Sequence, residues 1–177
     1  NLLTNIGDIL HMGQLMERDV ILGMLPPFHS FGLNTTLLLP LCLGLRTVFH
    51  PNPTESALLA KVVTAYRASV LFASPTFLAG IVRVATDRQL ASLRLAVTGA
   101  EKCPDTLFST LHARWPSLIV LEGYGITECS PVVAVNPMDA PVPGSIGRLL
   151  PHVEGAVVDL DLARRVAPGD TGMLLVR

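Results

Sequence analysis

Short apolar runs rich in β-branched residues recur along the chain and alternate with longer stretches whose apolar positions repeat at helical spacing. "DVILGML" (19–25), "LRTVF" (45–49), "SVLFAS" (69–74), "LRLAVTG" (93–99) and "SLIVLEG" (117–123) predict buried strands. Between them, "SFGLNTTLLLPLCLG", "TESALLAKVVTAYRA", "PTFLAGIVRVATD" and "CPDTLFSTLHARW" predict helices. The last three open with helix-start chemistry: Thr54 with Glu55, Ser74 before Pro75, and Cys103 before Pro104 and Asp105. Strand–helix alternation with crossovers of this length predicts an α/β fold, a mainly parallel sheet with helices on both faces.

The pattern changes after Gly123. Prolines crowd the rest of the chain, and only "VVAVN", "EGAVVDLD" and "GMLLVR" look like strands. The expected division is an α/β subdomain over 1–123, then a loop and β-rich segment over 124–177, incomplete at both ends. No charged residue occurs over 20–45, but Pro26, Pro27 and Pro40 and several polar residues interrupt that run. A buried strand, a polar turn and a buried helix fit it better than a membrane span.

Half of the 177 residues are hydrophobic and only 15% are charged, against about 25% in an average soluble domain. The formal net charge is −1 with no run of like charges, which gives nucleic acid no electrostatic footprint. Cys42, Cys103 and Cys129 are odd in number and lack CxxC spacing, so neither a disulfide framework nor a zinc site is expected. Their reduced state suits the cytoplasm.

The chemistry gathers in "VLEGYGITECSPVV" (120–133), where an apolar strand runs into Gly123 and Gly125. A dinucleotide fingerprint needs a third glycine that opens a helix, but Glu128 stands there and Pro131 follows. Nor does the chain contain a phosphate loop ending in Gly-Lys-Ser/Thr, or a nucleophile elbow. Amides near Gly125 and the Thr127 hydroxyl can instead donate to phosphate oxygens. Glu128 would then face a divalent cation bridging those oxygens, and Tyr124 offers a ring for a purine to stack on. The bland alternatives are a half-buried Tyr124 at a strand end, and Thr127 and Glu128 capping a turn. His11, His50, His112 and His152 lack ligand spacing and are expected to be structural.

"YGITE" (124–128) resembles the Y-G-x-T-E motif of the adenylate-forming superfamily, which includes acyl-CoA synthetases, luciferases and peptide-synthetase adenylation domains. "LPPFHSFGL" (25–33) is similar to the P-x-x-H-x-x-G segment of that family, and "LAVTGAEKCP" (95–104) to its adenine-facing turn. "GSIGRLLP" (144–151) and "GDTGMLLVR" (169–177) resemble two later family segments, so the likeness spans nearly the whole chain in order. It implies that Tyr124 stacks on adenine, Thr127 contacts the α-phosphate and Glu128 holds Mg²⁺. Gly99, Ala100, Glu101, Gly123 and Gly125 would line the ATP or AMP site, and His29 would border the carboxylate. The implied chemistry joins a carboxylate to ATP, giving acyl-adenylate and pyrophosphate, and then transfers the acyl group to a thiol.

The same resemblance implies parts not found between residues 1 and 177: a phosphate loop, a ribose-binding aspartate, and a domain bearing a catalytic lysine. The expectation is therefore the middle of a larger enzyme, inactive alone and self-associating through uncovered apolar faces. Small residues Ala73, Gly99 and Ala100, and the absence of an acidic residue over 20–45 and 71–80, favour a fatty acid over an amino acid. "GYGITECSPVVAVN" looks most like fatty-acid enzymes, particularly acyl–acyl-carrier-protein synthetases, some fused to a 2-acylglycerophosphoethanolamine acyltransferase. CoA or acyl carrier protein is the implied acceptor, and peripheral membrane association is compatible with that class. A non-catalytic nucleotide-binding or scaffold module is the alternative.

Overall fold

A computed structural model describes residues 1–159, 161 and 164–177. Its centre is a seven-stranded sheet in the order β2-β1-β3-β4-β5-β6-β7. The first five are β1 (Val20–Gly23), β2 (Arg46–Phe49), β3 (Val70–Ala73), β4 (Leu95–Thr98) and β5 (Ile119–Gly125), paired in parallel. The first four fall inside predicted apolar runs, and β5 begins inside the run 117–123 and continues two residues beyond it, through Tyr124 and Gly125.

Why these runs are apolar throughout follows from what covers them. Leu22, Leu71 and Ala96 face α4 (Ser56–Tyr66), α5 (Pro75–Val84) and α6 (Asp105–Arg114), packing with Leu59, Leu78 and Leu111. Their strand neighbours Ile21, Val70 and Leu95 point the other way, toward Ile6 and Ile9 of α1 (Leu2–Gly13) and Leu39. Successive strand residues thus enter different cores, as a period of two requires.

The predicted helix over 30–44 is three joined pieces: α2 (Ser30–Gly32), a π-helical segment (Leu33–Leu38) and α3 (Leu39–Leu43). Pro40 lacks an amide hydrogen and its ring crowds the carbonyl four residues back, so the turn ahead of it widens. The Leu39 amide donates five residues back to the Asn34 carbonyl. Thr35 and Thr36 donate to the Phe31 and Gly32 carbonyls at 2.7 Å each.

Helix starts follow expectation unevenly. Ser74 caps α5 by accepting from the Phe77 amide, with Pro75 in the first turn. Glu55 stands at the N-cap of α4, but neither its side chain nor that of Thr54 bonds a helix amide: Asn52 takes the Thr54 donors, and Glu55 accepts from Asn52 and pairs with His50. At α6 the N-cap is Pro104, and the Cys103 amide turns back to Glu122.

Beyond residue 123 the main sheet continues. β6 (Val132–Val135) pairs antiparallel with β5, and β7 (Arg148–Leu149) with β6. β8 (Gly155–Val158) and β9 (Met173–Val176) form a separate antiparallel pair. The run read as a strand over 154–161 is one over 155–158, and residue 160 lies outside the described residues. No helix among the described residues is long and apolar enough to cross a membrane.

Two buried polar clusters brace the sheet. At the amino ends of the strands, Asp19 (1% exposed) accepts from Arg94, Ser69 and the Met16 amide. Burial works to raise its carboxyl, but the Arg94 bond, the Met16 and Ser69 bonds and the Arg94 charge together hold it below the ordinary carboxylate value. On the other edge, Glu122 (8% exposed) accepts from the Cys103 amide at 3.2 Å and the Gly144 amide at 2.6 Å. Those bonds tie the loops after β4 and after β6 to one strand.

Candidate active site

At the carboxyl ends of β1, β4 and β5 a cleft of about 320 Å³ opens. Open α/β sheets bind ligands in such crevices, outside the carboxyl ends of their strands. His29, Ser30 and Phe31 line it from the segment after β1, Gly99 and Ala100 after β4, and residues 123–128 from β5 and its turn. A larger recess of about 390 Å³ lies between α6 and the loop after β6, lined by none of the predicted site residues.

The β5–β6 connection sets the position of the key side chains. A short 3-10 turn, Thr127–Cys129, leads to Ser130 in a left-handed conformation (φ 74°), and the chain reverses into β6. The Ile126 amide closes this reversal on the Pro131 carbonyl at 2.9 Å. A Cβ at Gly125 would stand 2.3 Å from the same Pro131 oxygen, so only glycine lets the strands meet there. Tyr124, one residue earlier, is half-buried along the cleft, while Thr127 and Glu128 are exposed in it.

Two other segments close on this turn. His29 caps α2, its Nδ1 accepting from the Phe31 amide at 3.3 Å. An accepting Nδ1 carries no proton, so the neutral ring holds its hydrogen on Nε2 and can donate to an oxyanion. Ser30 Oγ lies 2.9 Å from Thr127 Oγ1, joining the two segments directly. After β4, Gly99 packs close to the Gly123 carbonyl and the Phe31 ring, and a Cβ there would lie 3.4 and 3.5 Å from them. Ala100 follows at φ 70°, a left-handed backbone that an L side chain adopts only when its surroundings enforce it.

The cleft thus gathers His29, Gly99, Ala100, Gly123, Tyr124, Gly125, Thr127 and Glu128 from segments up to about a hundred residues apart. Glu101 does not line it, since its carboxylate turns toward α5 and accepts from the Thr76 hydroxyl at 2.5 Å. The sequence reading missed Ser30, Phe31, Val132 and Val135 as lining. Ser30 carried a signal, following His29 within a quoted motif; the valines read simply as strand.

As a cation site the cleft has a particular character. No group of three or more His, Cys, Asp or Glu side chains converges among the described residues. Glu128 makes no hydrogen bond or ion pair with them, leaving its carboxylate open to the cleft. One carboxylate beside hydroxyl and amide donors for phosphate suits Mg²⁺, which keeps waters and binds through one or two carboxylates plus substrate phosphates. The donor set fits a Mg–nucleotide rather than an all-protein cage.

Behind Phe31 is a small apolar cavity of about 40 Å³, lined by Met12, Leu15, Phe72, Leu95 and Val97 among others. Phe31 borders both spaces and meets Phe72 edge-to-face, with ring centroids 6.3 Å apart.

The chain is 33% identical over 177 residues to the long-chain-fatty-acid–CoA ligase of Salmonella typhimurium, covering 97% of this chain and 30% of that protein. It is 31% identical over 175 residues to 4-coumarate–CoA ligase 2 of rice, Oryza sativa subsp. japonica, covering 95% and 30%. The chain therefore spans about three-tenths of the length of these relatives. Among solved structures, ATP-bound MatB of Rhodopseudomonas palustris superposes with a TM-score of 0.87 at 28% identity, over 99% of this chain and 35% of that one. A long-chain-fatty-acid–CoA ligase of Archaeoglobus fulgidus gives 0.84 at 25% identity, over 99% and 37%. The AMP-binding enzyme family matches residues 1–177 in full, and to that family the chain belongs.

Proposed function

We propose that this chain forms the nucleotide-facing part of an ATP-dependent ligase that activates a medium- to long-chain fatty acid. The observation that carries the reading is the convergence of Tyr124, Thr127 and Glu128 with His29 and the Gly99–Ala100 turn in one cleft. In the first half-reaction a carboxylate oxygen attacks the α-phosphorus of ATP. The new P–O bond forms as the bond to pyrophosphate breaks, and pyrophosphate leaves with the electron pair. In the second, a thiol sulfur attacks the acyl carbonyl and gives up its proton. The C–S bond forms as the carbonyl carbon's bond to the phosphate oxygen breaks, and AMP leaves with that electron pair.

Each residue has a part in binding or orienting. The Tyr124 ring gives adenine a stacking face, with Gly99 and Ala100 leaving room for its edge. Thr127 donates to an α-phosphate oxygen, its hydroxyl oriented by Ser30. Through Nε2–H, His29 can donate to the incoming carboxylate. Glu128 would hold Mg²⁺, which, when bound, draws charge from the phosphoryl oxygens. The names of two relatives support a fatty acid as the acid. CoA or acyl carrier protein is the proposed acceptor, with lysophospholipid acylation one downstream use of the activated acyl group.

The test is adenylate formation by the full-length protein carrying this chain, followed as pyrophosphate release against ATP and Mg²⁺. Glu128→Gln keeps the shape but removes the charge, and should cut turnover by about 10²–10³ while sparing the fatty-acid KM. Tyr124→Ala should raise the KM for ATP and leave the Mg²⁺ dependence alone. Wild-type turnover and Mg²⁺ dependence in Glu128→Gln would mean that the carboxylate holds no cation and would overturn the reading.

A further inference from the structure

The turn bearing Thr127 and Glu128 is exposed and makes few bonds of its own, yet two buried amides hold it from behind. Asn5 of α1, 5% exposed, brackets Val132: its Nδ2 donates to the Val132 carbonyl at 2.7 Å, and the Val132 amide donates to its Oδ1 at 3.3 Å. Asn34, fully buried in the π-helical segment, donates from Nδ2 to Asn5 Oδ1 at 2.8 Å and to the Ser130 carbonyl at 3.2 Å. Flipping the Asn34 amide would set its oxygen against two acceptors, so its orientation is fixed. Asn34 Oδ1 has no hydrogen-bond donor among the described residues. The amide therefore works through its donor half alone.

Neither side chain bonds to the helix that contains it, although an asparagine inside a helix lowers its propensity. Their bonds run instead to Ser130 and Val132, the residues where the chain reverses after Thr127–Cys129. We propose that Asn5 and Asn34 are positioning residues for this turn, so that docking of α1 and the orientation of Thr127 and Glu128 are one arrangement. They touch no substrate and act through Ser130 and Val132. What the turn does rests on the function proposed above; that it is held from behind rests on the bonds.

Asn34→Leu in the full-length protein keeps the branched shape but adds bulk, and it removes both bonds together with the unpaired acceptor. Some global stability is therefore lost, and exchange is read under conditions where the variant stays folded. Amide hydrogen exchange over 127–132 should rise about tenfold or more, while that of α4–α6 stays as in wild type. Turnover in adenylate formation should fall about 10–10²-fold at an unchanged fatty-acid KM, through misplacement of the turn. Thr36→Val serves as the control: it lies in the same π-helical segment and loses a buried bond to the Gly32 carbonyl, but does not touch the turn. Its exchange over 127–132 and its turnover should match wild type. Asn5→Ala, which frees Val132 without adding bulk, is read the same way should Asn34→Leu fail to fold.

Wild-type exchange over 127–132 in the folded variants overturns the proposal. So does a loosened turn with wild-type turnover in a protein that Glu128→Gln slows. A loosened turn where Glu128→Gln has no effect supports the holding role and sinks the chemistry assigned to the turn.

Discussion

The three cysteines occupy three environments, and thiol chemistry should tell them apart. Cys42 is exposed on α3, Cys129 is half-buried in the turn, and Cys103 is buried. Burial pushes the Cys103 thiol up, and despite an opposing bond with Thr98, the nearby Glu122 and Asp105 carboxylates leave it at about 11. Only the thiolate reacts. Alkylation of the native protein near pH 8, followed by mass spectrometry, should label Cys42 early and Cys103 only after denaturation; prompt labelling of Cys103 would contradict its burial. At this scale the sequence was most informative where residues lie together. Tyr124, Thr127 and Glu128 fall within five positions, and the bonding needs of a Mg–nucleotide singled them out. His29 and the Gly99–Ala100 turn are far from them in sequence, so only family resemblance linked the three segments. Glu101 shows the limit, since adjacency to Ala100 does not determine which way the next side chain turns after a positive φ. Asn5 and Asn34 gave no signal, because a lone asparagine in an apolar run does not disclose its partner.

Elements were legible wherever period and length agreed. The five apolar runs hold the five parallel strands, and β1, β3 and β4 are buried on both faces, as an unbroken apolar run anticipates. β2, expected to be buried, is the edge strand and is exposed or half-buried throughout. Less was legible where tertiary contacts decide: the widened turn before Pro40, the two-residue β7, and the antiparallel addition of β6 and β7. Two glycines separate local preference from close approach. Gly7 in α1 has nothing within 4 Å of a built Cβ, so Gly7→Ala should stabilise by about 0.5–1 kcal/mol through helix propensity. Gly125→Ala must push the Pro131 carbonyl away and should destabilise by about 1–3 kcal/mol. Urea unfolding of both variants checks the opposite signs; equal effects would refute the close approach of β5 and β6.

The whole molecule is clasped at one edge by Asp19, which joins the start of β1 to Ser69 before β3 and Arg94 before β4. Its carboxyl lies below the ordinary value of 3.8, so its contribution is fully present above that value and is lost as pH falls through the lower folded one. Asp19→Asn should therefore be less stable at neutral pH, and its deficit should shrink on acidification below about 4. Denaturant unfolding across that range measures it; a constant deficit would mean the carboxylate charge is immaterial. This clasp lies at the amino ends of the strands, and the cleft at their carboxyl ends. The charge that secures the framework is thus remote from the residues that would define a substrate. Cleft side chains can therefore be exchanged without losing the interactions that keep the chain folded. Selection on specificity and selection on robustness then act on different ends of one sheet.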